Sequence, residues 1–274
     1  INIERSFNMI TYSFINLKGG VGKTTISTNT AYILASAGGR VLFIDNDKQG
    51  NASYFFNVKD KEITLADVFL NPSLDIQKAI YPARKIQEGL IDILPSNMTL
   101  LPLNMKHTEI DAEDKTFILK NALKAVEDKY DFCIIDNAPD INFTVYNALI
   151  ATNQVIIVTN PDDYANSGLN EMDIQFQNVL KDRQLYDESY NEHDPQNNFI
   201  LRGALMNKYI TNTYSKAQSK YKFFKTNINL INNYASNKRL FEAINLRKSM
   251  IELSPRSLFA RQMNKFIDEL LYDE

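Results

Sequence analysis

The run Lys18-Gly19-Gly20-Val21-Gly22-Lys23-Thr24-Thr25 sets two ammonium groups, three glycines and two hydroxyls side by side. That set is suited to holding a polyphosphate. Glycines let successive backbone N–H groups turn toward a single anion, and a helix starting just after them points its positive end at the same place. Lys23 adds a point charge, and the Thr24 hydroxyl stands where a phosphate-bound Mg²⁺ takes a protein ligand. A glycine-rich turn that binds nothing is the plain alternative. Against it, strand, glycines, lysine, hydroxyls and helix all occur in register.

Two further places carry acids at the ends of apolar runs. The first is Asp45-Asn46-Asp47-Lys48-Gln49-Gly50-Asn51, and the second is Asp136, which follows Ile134-Ile135. Carboxylates beside a triphosphate repel it unless Mg²⁺ or a polarised water lies between. Asp45 and Asp47 also fit an ordinary Asx turn at a strand end. Asp136 ends its strand as a magnesium-holding acid does, acting through water.

The elements that must position these groups are legible as alternation. β-rich runs cover 12–17, 40–45, 90–94, 132–136, 155–158 and 199–206, with helical patterns over 26–37, 64–70, 111–129, 142–151 and 164–182. Near-continuous apolar strands joined by helices predict one α/β domain: a doubly wound, mostly parallel sheet with helices on both faces. Ligands of such sheets bind beyond the carboxyl ends of the strands, where every candidate above lies. Residues 1–8 read as an extension, and 9–274 as the domain. Residues 187–198 read as a surface excursion, and both His107 and His193 as solvated.

The 274-residue chain has one cysteine, Cys133, inside an apolar run, so a disulfide within the chain is impossible. Its net charge of −3 is unevenly spread: residues 201–265 hold thirteen Lys/Arg against two Glu. A basic region on an acidic protein predicts a polyanion surface. On a helix over 213–225, Lys216, Lys220 and Lys222 fall off the apolar stripe of Tyr214, Ala217, Tyr221 and Phe224. A merely solvated basic face is the other reading. Near the end, Leu258, Phe259, Met263, Phe266, Ile267, Leu270 and Leu271 recur at helical spacing. Such a stripe packs on a core, and the acidic tail beside it opposes anionic lipid.

The loop departs from G-x-x-x-x-G-K-[ST] in having Leu17 where the first glycine belongs and an extra lysine, Lys18, at its start. In that form it resembles the deviant Walker A loop of the ParA/MinD/nitrogenase-iron-protein superfamily, and of the ParA/Soj-type partition ATPases in particular. Asp45 to Asn51 is similar to the family's D-x-D-P-Q-G-N segment, with Lys48 in place of proline. Asn237-Lys238-Arg239-Leu240-Phe241-Glu242-Ala243 resembles its N-x-R-L-x-E-A segment, although Ala235 stands where relatives carry proline.

The resemblance implies a P-loop NTPase fold and a weak ATP hydrolase, stimulated by DNA and a partner, that uses ATP/ADP and Mg²⁺. It implies that backbone and side chains of Gly19, Gly20, Val21, Gly22, Lys23, Thr24 and Thr25 hold the nucleotide, with Asn207 against the adenine. Thr24, Asp45 and Asp136 belong near the metal, Asp47 positions the attacking water, and Lys18 reaches across a homodimer to the partner's nucleotide. Arg239 implies contact with nonspecific DNA, with Lys238, Arg247 and Lys248 beside it. The implied role is plasmid or chromosome partition with a ParB-like centromere-binding protein, in a cytoplasmic, nucleoid-associated and membrane-free setting. A MinD-like membrane-cycling ATPase and a nucleotide-binding scaffold with little turnover are the rival readings. An iron-protein-like reductase is disfavoured, because one cysteine cannot supply a cluster's ligands.

Overall fold

The computed structural model describes residues 9–106, 115–160, 166–191, 199–206, 225–226 and 234–272. Its centre is a seven-stranded sheet: β1 (Ile10–Ile15), β2 (Arg40–Asn46), β3 (Tyr81–Ile86), β4 (Gly89–Leu94), β5 (Phe132–Asn137), β6 (Gln154–Thr159) and β7 (Ile200–Met206). Their order across the sheet is β3-β4-β2-β5-β1-β6-β7. All pairings are parallel except β3 with β4. This is the doubly wound α/β architecture that the alternating runs predict.

The helices are α1 (Lys23–Ser36), α2 (Asn51–Phe55), α3 (Leu65–Leu70), α4 (Leu100–Lys106), α5 (Ile118–Lys124), α6 (Phe143–Ile150), α7 (Asn166–Tyr186), α8 (Tyr234–Leu246), α9 (Met250–Leu253) and α10 (Leu258–Tyr272). Successive strand residues serve opposite faces. Val41 and Phe43 pack with α1 and with Phe259, Met263, Phe266 and Ile267 of α10, whereas Leu42 and Ile44 pack with α3 and α5. The C-terminal stripe therefore lies on the core, apart from the half-exposed Leu258. No helix among the described residues is long and apolar enough to cross a membrane. Cys133 is buried and free.

Three expectations need correction. Strand β3 is absent from the list read off the sequence, because Pro82, Arg84 and Lys85 interrupt its apolar pattern. It is an edge strand, where a missing N–H and outward charges are tolerated. Of the helix expected over 111–129, residues 118–124 form α5 and 125–129 are turns, while 111–114 lie outside the described residues. Asp187, expected on the surface, is buried and ion-paired with Arg183 and Lys120. His107, His193 and most of the expected helix 213–225 lie outside the described residues.

One contact fixes α1 against the sheet. A Cβ on Gly89, at the start of β4, would lie 2.1 Å from the carbonyl oxygen of Ala35 in α1 and 2.7 Å from that of Gly39. Both neighbours are backbone and cannot turn aside. Gly89→Ala is therefore expected to destabilise the protein by about 1–3 kcal/mol, the usual range for overpacking. A urea midpoint equal to that of the wild type would refute the tight approach.

Candidate active site

The loop between β1 and α1 is held from below before anything binds above it. Asn16 donates from Nδ2 to the Val158 carbonyl (2.8 Å) and accepts at Oδ1 from the Lys18 N–H (2.8 Å), which ties the start of the loop to β6. Val21 is fully buried. Gly22 caps α1 in the left-handed region, at φ 98°, where a side chain is strained. Over Gly19 and Gly20 an added Cβ would meet nothing within 4 Å, so the backbone there faces open space.

Lys23 is only 7% exposed. Its Nζ donates to the carbonyls of Asn16 (3.1 Å) and Lys18 (3.3 Å), folding the ammonium back under the loop. Burial lowers its pKa from the ordinary lysine value, against the pull of Asp136, Asp47 and Asp140. Lys18, by contrast, has an exposed side chain.

Asp45 and Asp136 are register partners on the adjacent strands β2 and β5. Both are buried, at 0% and 2% exposure. Burial raises Asp45 to about 6, opposed by its hydrogen bonds from Ser53 and Asp47. Burial and then the neighbouring Asp45 charge raise Asp136 to about 7, opposed by a hydrogen bond with Thr24 and by the Lys23 charge.

The two acids differ in what they hold. Asp45 Oδ2 accepts from both the N–H and the hydroxyl of Ser53 at 2.7 Å, and Oδ1 accepts from the Asp47 N–H at 3.3 Å. Asp136 Oδ1 is buried with no hydrogen-bond partner. A buried orphan carboxylate oxygen next to the loop hydroxyl of Thr24 is the donor set that a hydrated Mg²⁺ fits. Thr24 and Asp136 thus come together. Asp45 stands beside them with its oxygens engaged by the segment that follows β2.

That segment is a closed ring of bonds. Ser53 Oγ accepts from the Ser96 N–H (2.9 Å), and the Ser96 hydroxyl donates to the Asp47 carbonyl. The Asp47 carboxylate accepts from Gln49 N–H (2.9 Å), and the Gly50 N–H closes the turn on the Asp47 carbonyl (2.8 Å). Lys48 lacks proline's fixed φ, so a looser backbone is expected there. The ring supplies that restraint by other means. Ser53 and Ser96 escape sequence reasoning because the ring joins residues 43 apart on two elements. Asn46 and Asn137 escape it too: Asn46 Nδ2 donates to Asn137 Oδ1 (2.9 Å) and Asn137 Nδ2 to the Phe14 carbonyl (3.2 Å), bracing three strand ends.

Of the expected DNA contacts, Lys238 and Arg239 are exposed on α8. Arg247, at φ 53°, is instead half-buried with its guanidinium 4.9 Å from the Tyr54 ring centroid. Lys248 lies 3.6 Å from Glu252. Asn207, Lys216, Lys220 and Lys222 lie outside the described residues.

A strand, a glycine loop, a buried lysine and a strand-end acid in this arrangement define a P-loop nucleotide-binding protein. A family model described as an AAA domain matches residues 9–189, and the chain belongs to that family. Its relatives are of the ParA/Soj type. It is 33% identical over 159 residues to the chromosome partitioning protein ParA of Myxococcus xanthus, and 32% identical over 166 residues to the sporulation initiation inhibitor protein Soj of Bacillus subtilis. Both matches take in 57% of this chain, and they span 54% and 60% of those proteins. In fold it resembles the plasmid partition protein BB_S35 of Borrelia burgdorferi bound to AMPPNP, with a TM-score of 0.74, 20% identity, and 97% of this chain and 100% of that one covered.

Two outcomes follow from the geometry. Ser53→Ala removes a donor to Asp45 and the acceptor of the Ser96 N–H, so it should cost about 1–3 kcal/mol and speed amide exchange across 47–56; unchanged exchange there would dissolve the ring. For pH, the folded state holds protons on Asp136 and Asp45 that the unfolded state releases near 3.8. Without divalent cation their contribution to stability therefore falls as pH rises from about 4 to 7. Asp136→Asn should melt higher than the wild type at pH 8 in EDTA, with the gap narrowing toward pH 4. Parallel melting curves across that range would count against the burial of this charge.

Proposed function

We propose that this chain is an Mg²⁺-dependent ATPase that dimerises around ATP, binds DNA without sequence preference in that state, and serves DNA partition. The observation that carries the reading is the orphan Asp136 Oδ1 beside Thr24, at the foot of a glycine loop whose lysine is already drawn under it.

In this reading the N–H groups of residues 19–25 and the Lys23 ammonium hold the phosphates. Thr24 and Asp136 would hold Mg²⁺, which when bound supplies charge neutralisation between phosphate oxygens. The Asp47 carboxylate accepts from the attacking water and orients it. Asp45, near the metal shell, also holds the Asp47 N–H directly and Ser53 beside it. Lys18, exposed at the mouth of the loop, stabilises charge on the partner's nucleotide as an arginine finger does in trans. Asn207 against the adenine completes the expected contacts.

Exposed Lys238 and Arg239 support a DNA surface on α8, with Lys248 at its end and Lys216, Lys220 and Lys222 on the basic segment before it. Two such surfaces in a dimer make affinity fall steeply with salt. A ParB-like centromere-binding protein is the partner the reading implies, and a cytoplasmic, nucleoid-associated setting follows from it. The MinD-like alternative is disfavoured because α10 spends its apolar face on the core.

Lys23→Ala should lower phosphate release at least about 100-fold, as loss of a transition-state contact does. Asp47→Ala should keep ATP-dependent dimerisation in size-exclusion chromatography while losing turnover. Undiminished release from either variant would sink the mechanism. Arg239→Glu should weaken retention of nonspecific duplex in a mobility shift about tenfold or more with the ATP dimer intact, and an unchanged shift would remove α8 from the DNA surface.

A further inference from the structure

A cavity of about 250 Å³ opens between α1, α2 and the C-terminal pair α8 and α9. Phe55, Leu240, Ile244 and Met250 give it apolar walls, Lys248 borders it, and at one end it reaches Thr24 and Thr25 of the phosphate loop. Asn29 lines it and is only 2% exposed. Its Nδ2 is spent on the Thr25 carbonyl (2.7 Å), while Oδ1 is buried with no hydrogen-bond partner. The space is an apolar sleeve between helices.

Size and surroundings decide what fits there. Pockets that enclose whole small ligands run to about 300–1,000 Å³, and this one is smaller, of a size for one large side chain. Tyr54 and Ile244 of its lining are 48% and 38% exposed, and Phe241 and Leu246, flanking on α8, are 66% and 54% exposed. An anchor pocket set in an exposed apolar belt is the anatomy of a protein interface. Arg239, Arg247 and Lys248 make the neighbourhood basic, with Glu242 and Glu252 as the opposing charges on α8 and α9. Nucleic acid would meet those charges but has no apolar knob to fill the sleeve.

We propose that this cavity and its apolar margin form a docking surface for a partner protein that presents an acidic amphipathic helix. One Tyr or Trp of that helix seats in the sleeve. The site lies between α2, which follows Asp47, and α8, which carries Arg239, so a seated partner touches both helices. The inference stands apart from the hydrolysis reading, because it is a statement about binding and holds whether or not the chain turns ATP over.

The test is selection of a random-peptide display library against the full chain. The chain has no tryptophan, so the indole emission of a selected Trp peptide reports on that peptide alone. Expected are peptides with Trp or Tyr between Asp or Glu residues. They should bind Ile244→Leu as well as the wild type, and Ile244→Asp and Lys248→Glu at least about tenfold more weakly. Lys248→Glu alters an exposed side chain and keeps the test readable should Ile244→Asp fail to fold. Enrichment of basic or non-aromatic peptides, equal binding to both variants, or competitive displacement by ATP would overturn the proposal. So would recovery of no peptide while Ile244→Asp loses duplex DNA, which would assign the surface to nucleic acid.

Discussion

Two carboxylates sit at the same register position of neighbouring parallel strands, both withdrawn from water, and the rest of the molecule is arranged around that conflict. Asp45 and Asp136 cannot both ionise cheaply, because burial penalises each charge and each charge penalises the other. The fold answers them differently. Asp45 receives N–H and O–H donors from the segment that follows its own strand, so its charge is satisfied within the protein. Asp136 receives a hydrogen bond with Thr24 and the distant pull of Lys23, and retains an oxygen with no donor. One acid is closed and the other open, and only the open one asks for a cation.

That asymmetry explains why the surrounding elements are so firmly fixed. The open acid is useful only if the loop hydroxyl and the lysine stay within reach of it. Asn16 pins the loop to β6, Gly89 lets α1 lie close on the start of β4, and the Asn46–Asn137 brace keeps β1, β2 and β5 level at their carboxyl ends. Each of these is a short polar or steric contact at a strand end, where a parallel sheet leaves backbone groups without partners in the ladder. The hydrophobic layers behind them, with Phe43 on one face and Ile44 on the other, supply the stability that lets the site keep an unmet charge.

The sequence made the loop, the strand-end acids and the winding order legible because each rests on local chemistry: glycines before a lysine, apolar runs ending in Asp, strands alternating with helices. What it hid is what depends on partners far along the chain. Asp45 reads in sequence as an acid near the metal, and what no local pattern shows is that its oxygens accept from Ser53 and Asp47. β3 was hidden because an edge strand can carry Pro82 and two basic residues that a central strand could not. Asp187 looked solvated in a polar stretch, yet a buried Arg183 from the preceding helix claims it. Arg247 looked like one more surface cation, and it is the Tyr54 ring, nearly two hundred residues earlier, that draws it inward.

The last of these pairs bears on how α2 is held. Arg247 follows α8 and Tyr54 belongs to α2, so their stacking ties the C-terminal basic region to the short helix that Asp45 holds through Ser53. Arg84 of the edge strand then donates to the Arg247 carbonyl (2.7 Å), fixing that turn from the other side. The short helix α2 is thus held twice, by Asp45 at Ser53 and by Arg247 at Tyr54. Asp136 adjoins that set through its register pairing with Asp45, so the strand-end acids and the turn after α8 belong to one run of neighbours.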